Sequence, residues 1–184
     1  MRSVALMGRA GAGKDTAAEA LAVVHGHARI AFADPLKRMA LAADPIVYVH
    51  PDTSVSRLSD VVERYGWEAA KRQHPEVRRF LQRLGSEGVR DVVGSDTWID
   101  LAHREAMDAW TQGRPVVITD VRFPNEVTYA RDYGYRLIWI DRPGVTDGGH
   151  ASESAVRPED ADRIVYNGGS VADLAERMAL ALMD

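Results

Sequence analysis

The segment Gly8-Arg9-Ala10-Gly11-Ala12-Gly13-Lys14-Asp15-Thr16 constrains the fold more than any other part of the chain. It contains the spacing GxxxxGK. Before it lies the apolar run Ser3–Met7, in which Val4, Ala5, Leu6 and Met7 are continuous rather than alternating. That is the pattern of a short strand buried on both faces. After it a helix is predicted from about Lys14 toward Val24, with Ala17, Ala20, Leu21 and Val24 on one face. Strand, glycine-rich turn and helix together are what a phosphate-binding loop requires. Its glycines let backbone N–H groups wrap phosphate oxygens without a Cβ in the way. The helix N-terminus adds partial positive charge, and Lys14 can reach the outer phosphates. A glycine-rich turn without a ligand is the alternative, and Lys14 with its flanking elements weighs against it.

The rest of the chain alternates strand and helix. Ile30–Ala33 reads as a second buried strand, and Asp34-Pro35 as an N-cap and N1 proline opening a helix. Ala43–Ser54, with Asp44-Pro45 and His50-Pro51, reads as loop. Val55–Val93 is helical in pattern, broken near Gly66 and restarted at Pro75. Ser95 or Asp96 can cap a helix from Thr97 to about Thr111, which Gly113 stops. Pro115–Thr119 is a buried strand ending at Asp120. Pro124–Tyr133 is a helix, Tyr135–Ile140 a strand and Ile164–Tyr166 a short strand. Val171–Met183 is a closing amphipathic helix, and the polar stretch Arg142–Asp162 reads as a loop or lid. Five such alternations predict an α/β fold with a parallel five-stranded sheet. At 184 residues this is one domain, with a core over about 1–43 and 114–184. A helical substrate-binding insert is placed at 44–113 and a lid at 142–157.

Composition narrows the class. Lys plus Arg is 23 and Asp plus Glu is 27, giving 23 − 27 = −4. That argues against a nucleic-acid polymer as partner, since such proteins show a basic excess. With no cysteine, disulfides and thiolate-held metals are excluded. No apolar run approaches the ~20 residues of a membrane span, so no membrane partner and a cytoplasmic location are expected.

Further candidates cluster around strand ends. Asp120 occupies the position at which an acid organises Mg²⁺ in phosphate-loop proteins; a turn or cap role is the alternative. The usual Ser or Thr after the loop lysine is Asp15, with Thr16 following. Asp15 can reach Mg²⁺ through water or hold a basic residue. Arg122, Asn125 and Glu126 share a loop at a strand's C-terminal end, where ligands of open α/β sheets bind. Arg78, Gln82 and Gly85 share a helix face at i, i+4 and i+7, where Gly85 leaves room for a phosphate or base. Arg79 and Arg83 read as the solvated face. Lys37 and Arg38 oppose the dipole of their helix, which an anionic ligand would explain. Trp98 either covers a ligand or belongs to the core. Asn167-Gly168-Gly169 offers backbone against which an adenine could rest. Arg142 and Arg157 are the lid's charges.

These residues resemble the bacteriophage deoxynucleoside monophosphate kinases, a branch of the P-loop nucleotide kinases. The similar segments are GRAGAGKDT (Gly8–Thr16), FADPLK (Phe32–Lys37), RRFLQRLGSEGVR (Arg78–Arg90) with Trp98, ITDVRFPNE (Ile118–Glu126), HASE (His150–Glu153) and YNGGSVADL (Tyr166–Leu174). The family's usual Asn-Asp-Gly stands here as Asn167-Gly168-Gly169. The resemblance implies a three-layer P-loop sandwich and transfer of the γ-phosphoryl group of ATP to a deoxynucleoside 5′-monophosphate. It implies that Gly11, Ala12, Gly13, Lys14, Asp15, Thr16 and Asn167 bind ATP, with Mg²⁺ near Asp15 and Asp120. Lys37, Arg78 and Arg122 would grip the acceptor phosphate. Gln82, Trp98 and Glu126 would line its sugar and base, and Arg142 with the loop of Glu153 would close over the phosphates. Lys14, Arg78, Arg122 and Arg142 are thus the expected catalytic groups. A phosphomevalonate-kinase-like enzyme and a non-catalytic nucleotide-binding switch are the rival readings. Small-molecule substrates are expected, in a host cytoplasm if the chain is of phage origin, and a homodimer stays open.

Overall fold

The continuous apolar run forms β1 (Val4–Met7), with all four residues buried. In the computed structural model, which describes residues 2–145 and 155–183, β1 is the central strand of a five-stranded sheet. It pairs in parallel with β5 (Val116–Ile118) on one side and β6 (Arg136–Asp141) on the other. β2 (Ala28–Ile30) lies outside β5, and β7 (Arg163–Tyr166) outside β6. The order is therefore β2-β5-β1-β6-β7. All-parallel pairing needs helical crossovers. α1 (Lys14–His25), α6 (Pro124–Asp132) and α7 (Val171–Ala181) provide them or flank them. Leu6, Leu21, Ile138, Ile140, Leu174 and Met178 form the core between sheet and helices. Parallel strands end together, which puts Gly8, Asp120 and Asp141 at one edge.

The chain falls into two units, Met1–Phe32 with Ile99–Asp184, and Ala33–Trp98. The second unit carries α2 (Ala33–Ala43), β3 (Ile46–Val49), β4 (Val55–Arg57), α3 (Leu58–Gln73) and α4 (Pro75–Gln82). Its core is built from Ala40, Val47, Leu58, Val61, Ala70 and Val77. α5 (Thr97–Thr111) begins in this unit and continues into the first.

Several elements differ from the sequence reading. The second strand ends at Ile30 rather than Ala33, and α2 starts at Ala33, so Asp34 lies inside the first turn and is not its N-cap. Ala43–Ser54 is not all loop. Ile46–Val49 is a strand, paired antiparallel with Val55–Arg57, which is not helical. Ile, Val and Tyr favour strands, and Pro45 and Pro51 stand just outside β3, where they cost no ladder bond. The break at Gly66 appears as a kink within α3 (φ 70°). After α4, Arg83–Arg90 winds as a π-helix. The lid stretch holds a short 3₁₀ turn at Pro158–Asp160.

His27 is fully buried at the sheet end away from the loop. Its Nε2 lies 3.1 Å from the carbonyl of Arg2, so Nε2 carries the proton and donates. Nδ1 is buried without a partner. Burial lowers the pKa of this imidazole below its ordinary value, the nearby His25 adding to the effect. The folded protein therefore binds that proton less readily than the unfolded chain. The stability contributed is complete above the unfolded pKa of about 6.5 and is lost as pH falls below it. Thermal unfolding between pH 8 and 5 is expected to show a falling Tm below about 6.5, and His27→Gln should flatten that part of the profile.

Candidate active site

The loop after β1 is built by close backbone approach. Gly8 has φ +137°, and a Cβ there would stand 2.5 Å from the carbonyl oxygen of Ile140. Gly13 has φ +100°, and a Cβ there would meet the amide nitrogen of Asn167 at 2.4 Å. Within the loop the N–H of Ala12 donates to the Arg9 carbonyl at 3.1 Å. Lys14 is 9% exposed. Its Nζ donates to the carbonyls of Gly8 (2.7 Å) and Arg9 (2.9 Å). The ammonium is thereby held over the loop's own concavity. Gly8, Ala10, Lys14, Val121 and Arg122 line the depression there, with Trp139 and Val156.

Residues from the far end of the chain fix this loop. The side-chain amide of Asn167 donates to the carbonyl of Ala12 at 2.8 Å, and its N–H donates to Asp141 at 2.6 Å. Arg142 donates to the carbonyl of Gly11 and Arg9 to that of Val145, each at 3.3 Å. Arg142 thus contacts the loop backbone at Gly11. The expected role of Asn167-Gly168-Gly169 is to offer backbone against which an adenine rests, and the side-chain amide of Asn167 is engaged with loop backbone. No spacing rule couples Asn167 to Ala12; only the pairing of β6 with β7 does.

At the end of β5, Asp120 Oδ1 accepts the N–H of Phe32 at 2.8 Å, tying the ends of β5 and β2 together. Arg122 is exposed in the depression that holds Lys14. Glu126 is placed otherwise than expected. It is 3% exposed, and one carboxylate oxygen accepts the N–H groups of Arg122 (2.7 Å) and Phe123 (3.1 Å). It caps the first turn of α6 and shapes the loop that presents Arg122, rather than lining a base site. Asp15 shows the second of its two envisaged roles, accepting from the guanidinium of Arg29 at 3.0 Å.

In the unit Ala33–Trp98, Arg78 is exposed and Gln82 half-buried. Lys37 pairs with Asp34 at 3.0 Å, a local partner that the dipole argument overlooked. Trp98 is 5% exposed, and its Nε1 donates to the carbonyl of Gly85 at 3.0 Å. It is a core strut and not a ligand cover. The space beside Gly85 is filled too, since a Cβ there would lie 2.9 Å from Leu36 Cδ2. Trp98 and Leu36 thus both pack against the π-helical turn at Gly85. Arg157 is exposed. Glu153, with the rest of His150–Glu153, lies outside the described residues.

Among the described residues no group of three or more His, Asp and Glu is arranged to hold a metal ion. A Mg²⁺ bound largely by phosphates and water needs only one or two carboxylates. Asp120, half-buried at a strand end, fits that part. Asp15, already carrying a guanidinium, fits it only through water.

Among the described residues no helix is long and apolar enough to cross a membrane. A crystal structure described as "a putative kinase" from Chloroflexus aurantiacus matches 99% of this chain and 97% of its own at TM-score 0.50 and 10% identity, a likeness of fold alone. The "Putative deoxynucleotide monophosphate kinase" of Acanthamoeba polyphaga mimivirus is 32% identical over 170 residues, covering 84% of this chain and 81% of its own. The uncharacterized protein ORF76 of Ictalurid herpesvirus 1 is 28% identical over 187 residues, covering 98% of this chain and 67% of its own. The model of the family named deoxynucleotide monophosphate kinase matches residues 46–178. That span lies wholly beyond Gly8–Thr16, so loop and family match stand as separate observations. With a lysine-bearing phosphate loop at one sheet edge and most of the remaining sequence matched, the chain belongs to the deoxynucleotide monophosphate kinase family and is a nucleotide kinase.

Proposed function

We propose that this enzyme transfers the γ-phosphoryl group of ATP to a deoxynucleoside 5′-monophosphate, giving the diphosphate and ADP. The observation that carries this reading is the placement of Lys14. Its ammonium is held in a strand–loop–helix concavity that also presents Arg122. Backbone N–H groups of Gly11–Thr16 and the N-terminus of α1 would cradle the donor phosphates. Lys14 would move from its loop carbonyls onto the terminal phosphates. Arg122, and Arg142 from beside Gly11, would take up charge on the transferring group. Lys37, Arg78 and Gln82 of the second unit are assigned to the acceptor.

The attacking atom is already an anionic phosphate oxygen, so no strong general base is required. Catalysis is then in-line positioning and charge stabilisation. Mg²⁺ held through Asp120 would neutralise charge on the donor phosphates. Asn167 acts by holding Ala12, and Glu126 by shaping the loop of Arg122.

An ATP-consumption assay with each dNMP, each ribose counterpart and phosphomevalonate tests the proposal. Turnover on the order of 1–100 s⁻¹ is expected with at least one dNMP. Response to phosphomevalonate alone would move the enzyme to another acceptor class. ATP binding without transfer to any acceptor would make it a nucleotide-binding switch.

A further inference from the structure

Asp15 stands where an acid is least expected. It is the second residue of α1, directly after the loop lysine, at the end of the helix that favours anionic ligands. A carboxylate there has the sign of the phosphates it would meet. Packing does not restrain it, since the side chain is 83% exposed. The guanidinium of Arg29 lies 3.0 Å from Asp15 Oδ1 and is only 35% exposed. Arg29 belongs to edge strand β2, between buried Ala28 and Ile30. The helix dipole accounts for tolerance of an acid in the first turn of α1. It does not account for a cation reaching over from another strand. Nor does stability, because an exposed ion pair contributes little to it.

We propose that Arg29 is a positioning residue of the phosphate site, which neutralises Asp15 and holds its carboxylate toward β2, so that this loop can accept a polyphosphate. The inference rests on the phosphate-binding reading of Gly8–Thr16. Without the guanidinium, the exposed carboxylate would repel the incoming nucleotide, most strongly when no divalent cation is present. The effect is electrostatic between exposed groups and therefore falls with added salt.

Equilibrium binding of ATP, measured by calorimetry in EDTA and again with Mg²⁺, tests this on the wild type, Arg29→Met, Asp15→Asn and the double variant. Arg29→Met is expected to weaken metal-free binding about tenfold at low salt, and less at 0.5 M salt. Asp15→Asn should restore affinity in the double variant, because the charge needing compensation is gone. Unchanged binding by Arg29→Met, with its melting temperature unchanged, overturns the proposal. So does a double variant as weak as Arg29→Met, which would mean that Arg29 meets the nucleotide itself. If Arg29→Met unfolds, Arg29→Gln and Arg29→Lys give the same reading, the lysine retaining affinity. Wild-type protein that bound no ATP under either condition would overturn this inference and the phosphate-site reading together, an outcome distinct from both others.

Discussion

Replacing Lys14 by alanine is expected to lower kcat about a thousandfold while shifting Tm by no more than a few degrees. The ammonium is held at the loop's concavity by the loop's own carbonyls, those of Gly8 and Arg9. Once on the terminal phosphates, this cation would stabilise the charge that develops there as the reaction proceeds. Removing one such group costs about 10²–10³ in rate, or ~3–4 kcal/mol of transition-state stabilisation. The fold should survive because the two carbonyls left behind belong to an open loop, where water can satisfy them. The sheet core of Leu6, Ile138 and Ile140 does not involve this side chain. Steady-state kinetics at saturating dNMP, with a circular dichroism melt of the same sample, check both halves. Turnover near the wild-type level would remove Lys14 from the mechanism.

Gly8→Ala should act in the opposite way, through stability. The residue has φ +137°, and its new Cβ would stand 2.5 Å from the carbonyl oxygen of Ile140. Ile140 is 1% exposed in a strand registered against β1, so that oxygen cannot rotate aside. Either β1 and β6 separate locally or the loop leaves its path. A loss of about 3 kcal/mol or more is expected, on the order of 6–12 °C in Tm for a chain of this size. Gly11→Ala is the internal comparison. Its φ is +80°, but no atom lies within 4 Å of the added Cβ. It should cost only the backbone term, about 1–2 kcal/mol. Denaturant unfolding of the two variants separates steric closure from backbone strain. Equal losses would show that the β1–β6 approach yields to a methyl group.

Features that depend on neighbouring residues were legible in the amino-acid order. The apolar run before Gly8, the loop lysine and the helix behind it occur as expected, as do the kink at Gly66 and the restart at Pro75. The hairpin Ile46–Arg57 was hidden because the prolines at 45 and 51 signal turns more loudly than four residues signal a strand. Residues that cross the fold were the ones misjudged. Glu126 looked like a ligand contact because a carboxylate near an arginine suggests binding, whereas it is buried and accepts the N–H groups of Arg122 and Phe123 as a cap. Arg78, Gln82 and Gly85 looked like a binding face, whereas the space beside Gly85 is taken by Leu36 and its carbonyl by Trp98. Gly85 lies in the π-helical turn Arg83–Arg90, and nothing in RLGSEGVR announces that winding. Asp15 and Arg29 are 14 positions apart, a spacing without meaning until β2 is placed beside β5.

The clamp on the loop bears on how the enzyme comes into being during synthesis. Arg142 and Asn167, which grip Gly11 and Ala12, leave the ribosome 131 and 155 positions behind their partners. Elongation at ~5–20 residues per second leaves an interval of roughly 7–30 s in which the glycines are exposed but unsupported. A nascent chain would therefore gain its grip on nucleotide abruptly and late, when β7 joins the sheet. Stalled chains that end before Asn167 should pass through the cell without sequestering ATP.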